Sequence, residues 1–106
     1  MRKVKYNKYK LWVVVPAYNE EKLLQSCIDA LSIQNNNEFT LLIVNNNSTD
    51  NTVKIIKHSQ KKYSNLDIRY ITENQKGTGA ACDTGFRYAI AHDALYIART
   101  DADAMA

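Results

Sequence analysis

The sequence predicts an α/β domain of three layers, with helices on both faces of a mainly parallel sheet in the order β-α-β-α-β-α-β. Two observations predict it. Apolar runs of strand length alternate with segments whose apolar residues recur at helical spacing, and the short connections between them call for right-handed crossovers. The unusual polar residues gather just after the runs, at the strand ends where such sheets bind ligands.

Leu11-Trp12-Val13-Val14-Val15 is a continuous β-branched and aromatic run, the pattern of a strand buried on both faces. Pro16 is expected to end it, because proline cannot donate to a ladder. A helix follows, with Asn19 as its cap, Glu20 and Glu21 in a first turn whose dipole favours acids, and Leu23, Leu24, Cys27, Ile28 and Leu31 as its inward stripe. Asn35-Asn36-Asn37 is a turn. Thr40-Leu41-Leu42-Ile43-Val44 is the second buried run, and Asn45-Asn46-Asn47 is the polar loop after it. Ser48, Thr49 and Asp50 offer alternative caps to a second helix, which turns Val53, Ile56 and Tyr63 inward and its lysines outward before Asn65 breaks it. Asp67 to Thr72 alternates polar with apolar residues and predicts an edge or half-exposed strand. Glu73 to Gly79 is a loop. Ala80, Ala81, Phe86, Ala89 and Ile90 mark a third helix to about His92, and a fourth strand runs from Ala94 to Arg99.

At 106 residues the chain is one domain or less, and a chain of that size buries roughly two thirds of its unfolded surface. The expected division is a basic tail over 1–10 and a domain over 10–106. Apolar residues make up 45% and charged ones 24%, with one Pro and three Gly, which excludes disorder. The net charge of +3 is mild; the lysine-rich helix face reads as solvated, and the basic cluster at 1–10 reads either as a solvated tail or as a contact for nucleic acid or an anionic bilayer. No apolar stretch reaches the roughly 18 residues a membrane span needs, and Leu11–Val15 is too short for a signal-peptide core. Cys27 and Cys82 have no metal-like spacing and read as buried thiols, which fits a reducing cytosol.

The chemistry-bearing residues lie in four loops. Asp101-Ala102-Asp103 places two carboxylates directly after a strand, and Mg²⁺ and Mn²⁺ commonly share such hard oxygen ligands with substrate phosphates. Gly77 and Gly79 have neither the spacing nor the position of a dinucleotide fingerprint, and there is no P-loop. Both glycines read either as positions needing positive φ before a helix or as a hinge passing close to a ligand, with Lys76 near its phosphate. Asn46 reads either as a turn residue or as an amide reading a base edge as both donor and acceptor. Tyr18 shares the first loop. Trp12 and most tyrosines other than Tyr18 read as core or sheet surface, and His58 and His92 as non-catalytic.

Val13-Val14-Val15-Pro16-Ala17-Tyr18-Asn19-Glu20-Glu21, Asn46-Asn47-Ser48-Thr49-Asp50-Asn51-Thr52 and Thr100-Asp101-Ala102-Asp103 together resemble the ordered motifs of family 2 glycosyltransferases. The resemblance spans roughly residues 10 to 106. It implies the N-terminal half of the Rossmann-like GT-A fold, and transfer of a sugar from a UDP- or GDP-sugar to the hydroxyl of an acceptor glycan or lipid, with inversion. It further implies that Pro16, Ala17, Tyr18, Asn19, Glu20, Asn46, Ser48, Lys76, Gly77 and Asp101 bind the nucleotide-sugar. Asp103, with Asp101, would hold Mn²⁺ or Mg²⁺, and no nucleic acid would be involved.

Two departures stand out. Asn46 occupies a position where the family usually has Asp, and Ala81-Cys82-Asp83-Thr84-Gly85 lacks the arginine of the usual Ala-Arg-Asn, removing a charged contact to the nucleotide. The resemblance places the general base beyond Ala106, so the chain is expected to be a truncated donor half without catalytic residues, unable to transfer sugar alone. It also implies cell-surface polysaccharide synthesis and a cytoplasmic address, with association at the membrane's inner face. The alternative is a non-catalytic nucleotide-sugar binding module. A nucleotidyltransferase shares the sheet but carries a basic glycine-rich loop after its first strand, which Pro16-Ala17-Tyr18-Asn19 does not provide.

Overall fold

Along β1 (Leu11–Ala17), alternate side chains serve two different cores. In the computed structural model, which describes residues 11–33 and 38–102, Val13, Val15 and Ala17 face α1 (Leu24–Ser32) and α2 (Thr52–Lys62). Trp12 and Val14 face α3 (Thr78–Ala91) on the opposite side. β2 (Thr40–Asn45) repeats the pattern, with Leu41 and Ile43 on one face and Leu42 and Val44 on the other. A strand flanked by helices on both faces needs apolar residues at every position, hence the two unbroken runs.

The sheet is wholly parallel, in the order β3-β2-β1-β4, with β3 at Asp67–Thr72 and β4 at Tyr96–Arg99. The expected α/β/α architecture is therefore present, and β3 is an edge as its alternation foretold. Among the described residues β4 is the other edge and the barer one, with Tyr96 68% exposed. α3 lies close against β1 and β2 because position 85 has no side chain: a Cβ there would come within 2.6 Å of a Val14 methyl and 2.9 Å of a Val44 methyl.

Several local expectations are corrected. Pro16 does not end β1; it lies within the strand, in register with Val44. The Val14 carbonyl accepts from the Thr100 amide, so residue 14 presents its backbone toward β4, and by alternation so does residue 16. β1 pairs with β4 only over Leu11 to Val14, so proline's missing N–H falls past the end of that ladder.

Asn19 does not cap α1, whose N-cap is Leu23, and Glu20 and Glu21 precede the helix rather than occupying its first turn. The Leu24 amide instead bonds the Glu20 carbonyl at 2.8 Å. Asn51, not residues 48–50, is the N-cap of α2, although the Asp50 carboxylate accepts from the Thr52 amide at 2.9 Å. α3 begins at Thr78, two residues early, and Ile90 is 63% exposed rather than packed. β4 is shorter than expected, excluding Ala94 and Leu95. The turn at Asn35 to Asn37, the basic tail and Asp103 lie outside the described residues.

Candidate functional site

Because all four strands run the same way, the segments that follow them meet at one edge of the sheet. They enclose a cavity of about 200 Å³ lined by Pro16, Ala17, Tyr18, Glu20, Asn46, Thr78, Ala81, Arg99 and Asp101. The cavity adjoins a second hollow bordered by Tyr18, Asn46, Lys76, Gly77 and Thr78. Of the residues expected to bind ligand, Pro16, Ala17, Tyr18, Glu20, Asn46 and Asp101 share the first cavity, while Lys76 and Gly77 share the second with Tyr18 and Asn46.

Asn19 and Ser48 are placed differently. Asn19 holds positive φ (50°), and its side-chain oxygen accepts from the Thr49 amide at 2.7 Å and the Asp50 amide at 3.3 Å. Asparagine tolerates that conformation, which explains its presence without a ligand. Ser48 Oγ accepts from the Asn19 amide at 3.0 Å. Thr52 Oγ1 accepts from the Glu20 amide at 3.0 Å and donates to Asp50 Oδ1 at 2.5 Å, while Asp50 Oδ2 accepts from the Glu21 amide at 3.3 Å. The Asn51 amide returns the exchange by donating to Glu21 at 2.9 Å. These bonds bind the loop after β1 to the loop after β2. Burial pushes the Asp50 carboxyl up, but bonds from the Thr52 hydroxyl and from the Thr52, Glu21 and Asp50 amides outweigh it and hold the group below its ordinary range.

Asn46 is 5% exposed, and its amide is committed. Nδ2 donates to the carbonyls of Glu73 and Gln75, both at 2.8 Å, and Oδ1 accepts from the Gly77 amide at 3.0 Å. Both donors are spent on these carbonyls, so the side chain borders the cavity and at the same time ties down the loop between β3 and α3. A carboxylate could accept from Gly77 but could not donate to the two carbonyls, which gives the departure from the usual Asp a physical reason. Glu73 reinforces the loop by accepting from the Gln75 amide at 2.7 Å and from the Thr84 hydroxyl, and the Thr84 bond leads in holding its carboxyl below the usual range.

The two glycines separate. Gly77 adopts φ 117°, where only glycine is unstrained. Gly79 has no such φ and sits in α3 with nothing within 4 Å of where a Cβ would be.

Thr78 and Arg99 line the cavity without having been singled out from the sequence, and Ala81, which opens the segment that lacks the usual arginine, lines it too. Arg99 ends β4, and its Nη2 donates to Asp101 Oδ1 at 3.1 Å, with the two side chains 44% and 52% exposed. Cys82 is buried with a raised pKa, chiefly from desolvation; Arg99 lowers it and Asp101 raises it, so all three share one electrostatic neighbourhood. Cys27 is remote in role: burial, reinforced by Glu20, pushes its thiol to about 11, which keeps it protonated and unreactive. Among the described residues no group of three or more His, Cys, Asp or Glu side chains is arranged to hold a metal, and no helix is long and apolar enough to cross a membrane.

Comparison with known proteins adds the context. Residues 12–106 match the family model of glycosyl transferase family 2. The chain is 30% identical over 94 residues to a poly(ribitol-phosphate) beta-glucosyltransferase of Bacillus spizizenii, covering 87% of this chain and 15% of that protein. Among solved structures it resembles the mannosyltransferase PcManGT from Pyrobaculum calidifontis in complex with GDP-Man and Mn²⁺, at a TM-score of 0.74 and 23% identity. It likewise resembles TarS residues 1–349 of S. aureus in complex with UDP, at a TM-score of 0.74 and 24% identity. Each structural match covers 89% of this chain and 27% of the other.

Proposed function

This chain belongs to glycosyl transferase family 2, and from that premise we propose that its cavity is the donor site of an inverting glycosyltransferase, holding a nucleotide-diphospho-sugar. The observation that carries the reading is convergence: the segments after all four strands border one cavity, with Tyr18 and Asn46 continuing into the hollow beside Lys76. Tyr18 is 59% exposed and offers a ring against which a base can stack. Gly77 and Thr78 bring the start of α3 alongside, where backbone amides and the helix dipole favour negative charge. The chain spans only 15% and 27% of the relatives described above, so we assign it the donor side and leave the acceptor, a glycan or lipid of a cell-surface polymer, to the whole protein. We place that protein in the cytoplasm at the membrane's inner face, where its nucleotide-sugars and a lipid acceptor would meet.

For the metal, the test is the donor set. Asp101 is a half-exposed carboxylate on the cavity wall whose Oδ2 has no bonding partner among the described residues, which suits a hard cation such as Mn²⁺ or Mg²⁺. Asp101 and Asp103 are the proposed ligands. When bound, the metal offsets charge growing on the departing nucleoside diphosphate. The chain's own residues fix where that diphosphate lies: Asn46 holds the Gly77 turn in place, and the bonded loops after β1 and β2 hold Tyr18 and Glu20 at the cavity. Calorimetry with UDP and GDP, with and without Mn²⁺, tests the reading. Binding of either nucleotide that Mn²⁺ tightens is expected; no binding of either would overturn it, and enhancement by Mn²⁺ that survives Asp103→Ala would remove the metal assignment.

A further inference from the structure

The first cavity's charged lining is acidic on balance, and Lys76 borders only the hollow beside it. Its lining includes two carboxylates, Glu20 and Asp101, and one cation, Arg99. A diphosphate entering beside two acids needs a positive partner, and guanidinium is suited to phosphate because its planar fork donates two parallel bonds. Arg99 is placed for this at the end of β4, and the one hydrogen-bonded partner of its guanidinium among the described residues is Asp101. That contact is half-exposed and spans only two residues, so little holds it against a more highly charged competitor. The charge expected on α3 and missing at Cys82 is thus present in the same neighbourhood, on the adjacent strand.

We infer that Arg99 is the phosphate-binding cation of this site: on nucleotide binding its guanidinium leaves Asp101 for the diphosphate, which releases the Asp101 carboxylate. The inference rests on the donor-site reading above and adds a residue and an exchange to it. One contact thereby links two events: Asp101 Oδ1 is paired with Arg99 in the empty cavity and gives up that bond when phosphate occupies it.

The test is metal-free calorimetry of the chain with UDP, GDP and the phosphate-free nucleoside of whichever binds, comparing wild type with Arg99→Leu and Arg99→Lys. Arg99→Leu is expected to weaken the diphosphate about tenfold or more, the scale of one charge-assisted contact, while leaving the nucleoside within about twofold. Arg99→Lys is expected to fall between. The half-exposed position lets the variants fold, as thermal melts check. Equal binding of the diphosphate by wild type and Arg99→Leu would overturn the inference while leaving the donor site standing. An equal loss for nucleoside and diphosphate would overturn it too, by making Arg99 a support for the pocket's shape. Failure of wild type to bind any nucleotide, with Mn²⁺ added as well as without it, would instead remove the donor site itself.

Discussion

The loops after β1 and β2 and the segment after β4 border the same cavity, yet they use their polar groups in opposite ways. In the first region Asn19, Ser48, Asp50 and Thr52 form a closed exchange across residues 19–52, and Asn46 commits its amide to three backbone groups. In the second, Arg99 and Asp101 share one half-exposed contact. Motif residues can therefore be frame or instrument. Those whose hydrogen-bonding capacity is consumed internally shape the cavity, whereas those with capacity to spare are available to a ligand.

The sharpest way to break this distinction is Asn46→Asp. If the side chain is frame, the change places a buried carboxylate against the Glu73 and Gln75 carbonyls and removes two donated bonds, at an expected cost of about 2–3 kcal/mol in urea denaturation. The deficit should shrink in acid, where the protonated carboxyl regains one donor. An unchanged midpoint would mean that the amide is available to read a base after all.

Asp50→Ala attacks the other half of the frame. It strips acceptors from the Thr52 amide and hydroxyl and from the Glu21 amide, and a loss of about 2 kcal/mol is expected, moderated by partial exposure. Circular dichroism melts would measure it. Nucleotide affinity should change less than in Arg99→Leu, because Asp50 does not line the cavity.

Titration separates the regions next. Asp50 and Glu73 have carboxyl pKa values lowered below 3.8 and 4.5 respectively. Carboxylates depressed on folding stabilise above their unfolded values, and that contribution is lost as pH falls through the lower folded ones. Stability should thus hold from neutrality to about pH 4.5 and decline below it. In Asp50→Asn the decline should be shallower. A decline of equal steepness in Asp50→Asn would assign the acid sensitivity elsewhere.

How much of this was legible follows from the same physics. The core, the strand order's parallel sense and the gathering of loops were readable because Val13 to Val15 and Leu41 to Val44 must be buried on both faces, and short crossovers leave few arrangements. Side-chain commitments were not, because hydrogen bonds such as Asn46 to Gln75 join residues 29 apart that only the fold brings together. Arg99 was unmarked for a related reason: a strand residue gives no sign of whether its head reaches solvent, a partner or a cavity. Pro16 was misread because the length of β4 decides whether a missing N–H matters.

Gly79→Ala gives the smallest effect and sharpens the comparison most finely. Residue 79 lies in a regular helix with open space where a Cβ would go, so alanine should stabilise the free protein by up to about 1 kcal/mol through helix propensity. Glycine at such a position is explained by the fold only if alanine is harmful there. A protein that becomes more stable while its affinity for UDP or GDP falls would show that the missing methyl is kept for a ligand passing close to the start of α3. If stability rises and affinity is unchanged, the approach lies elsewhere along the cavity, and the start of α3 belongs with Asn46 to the frame.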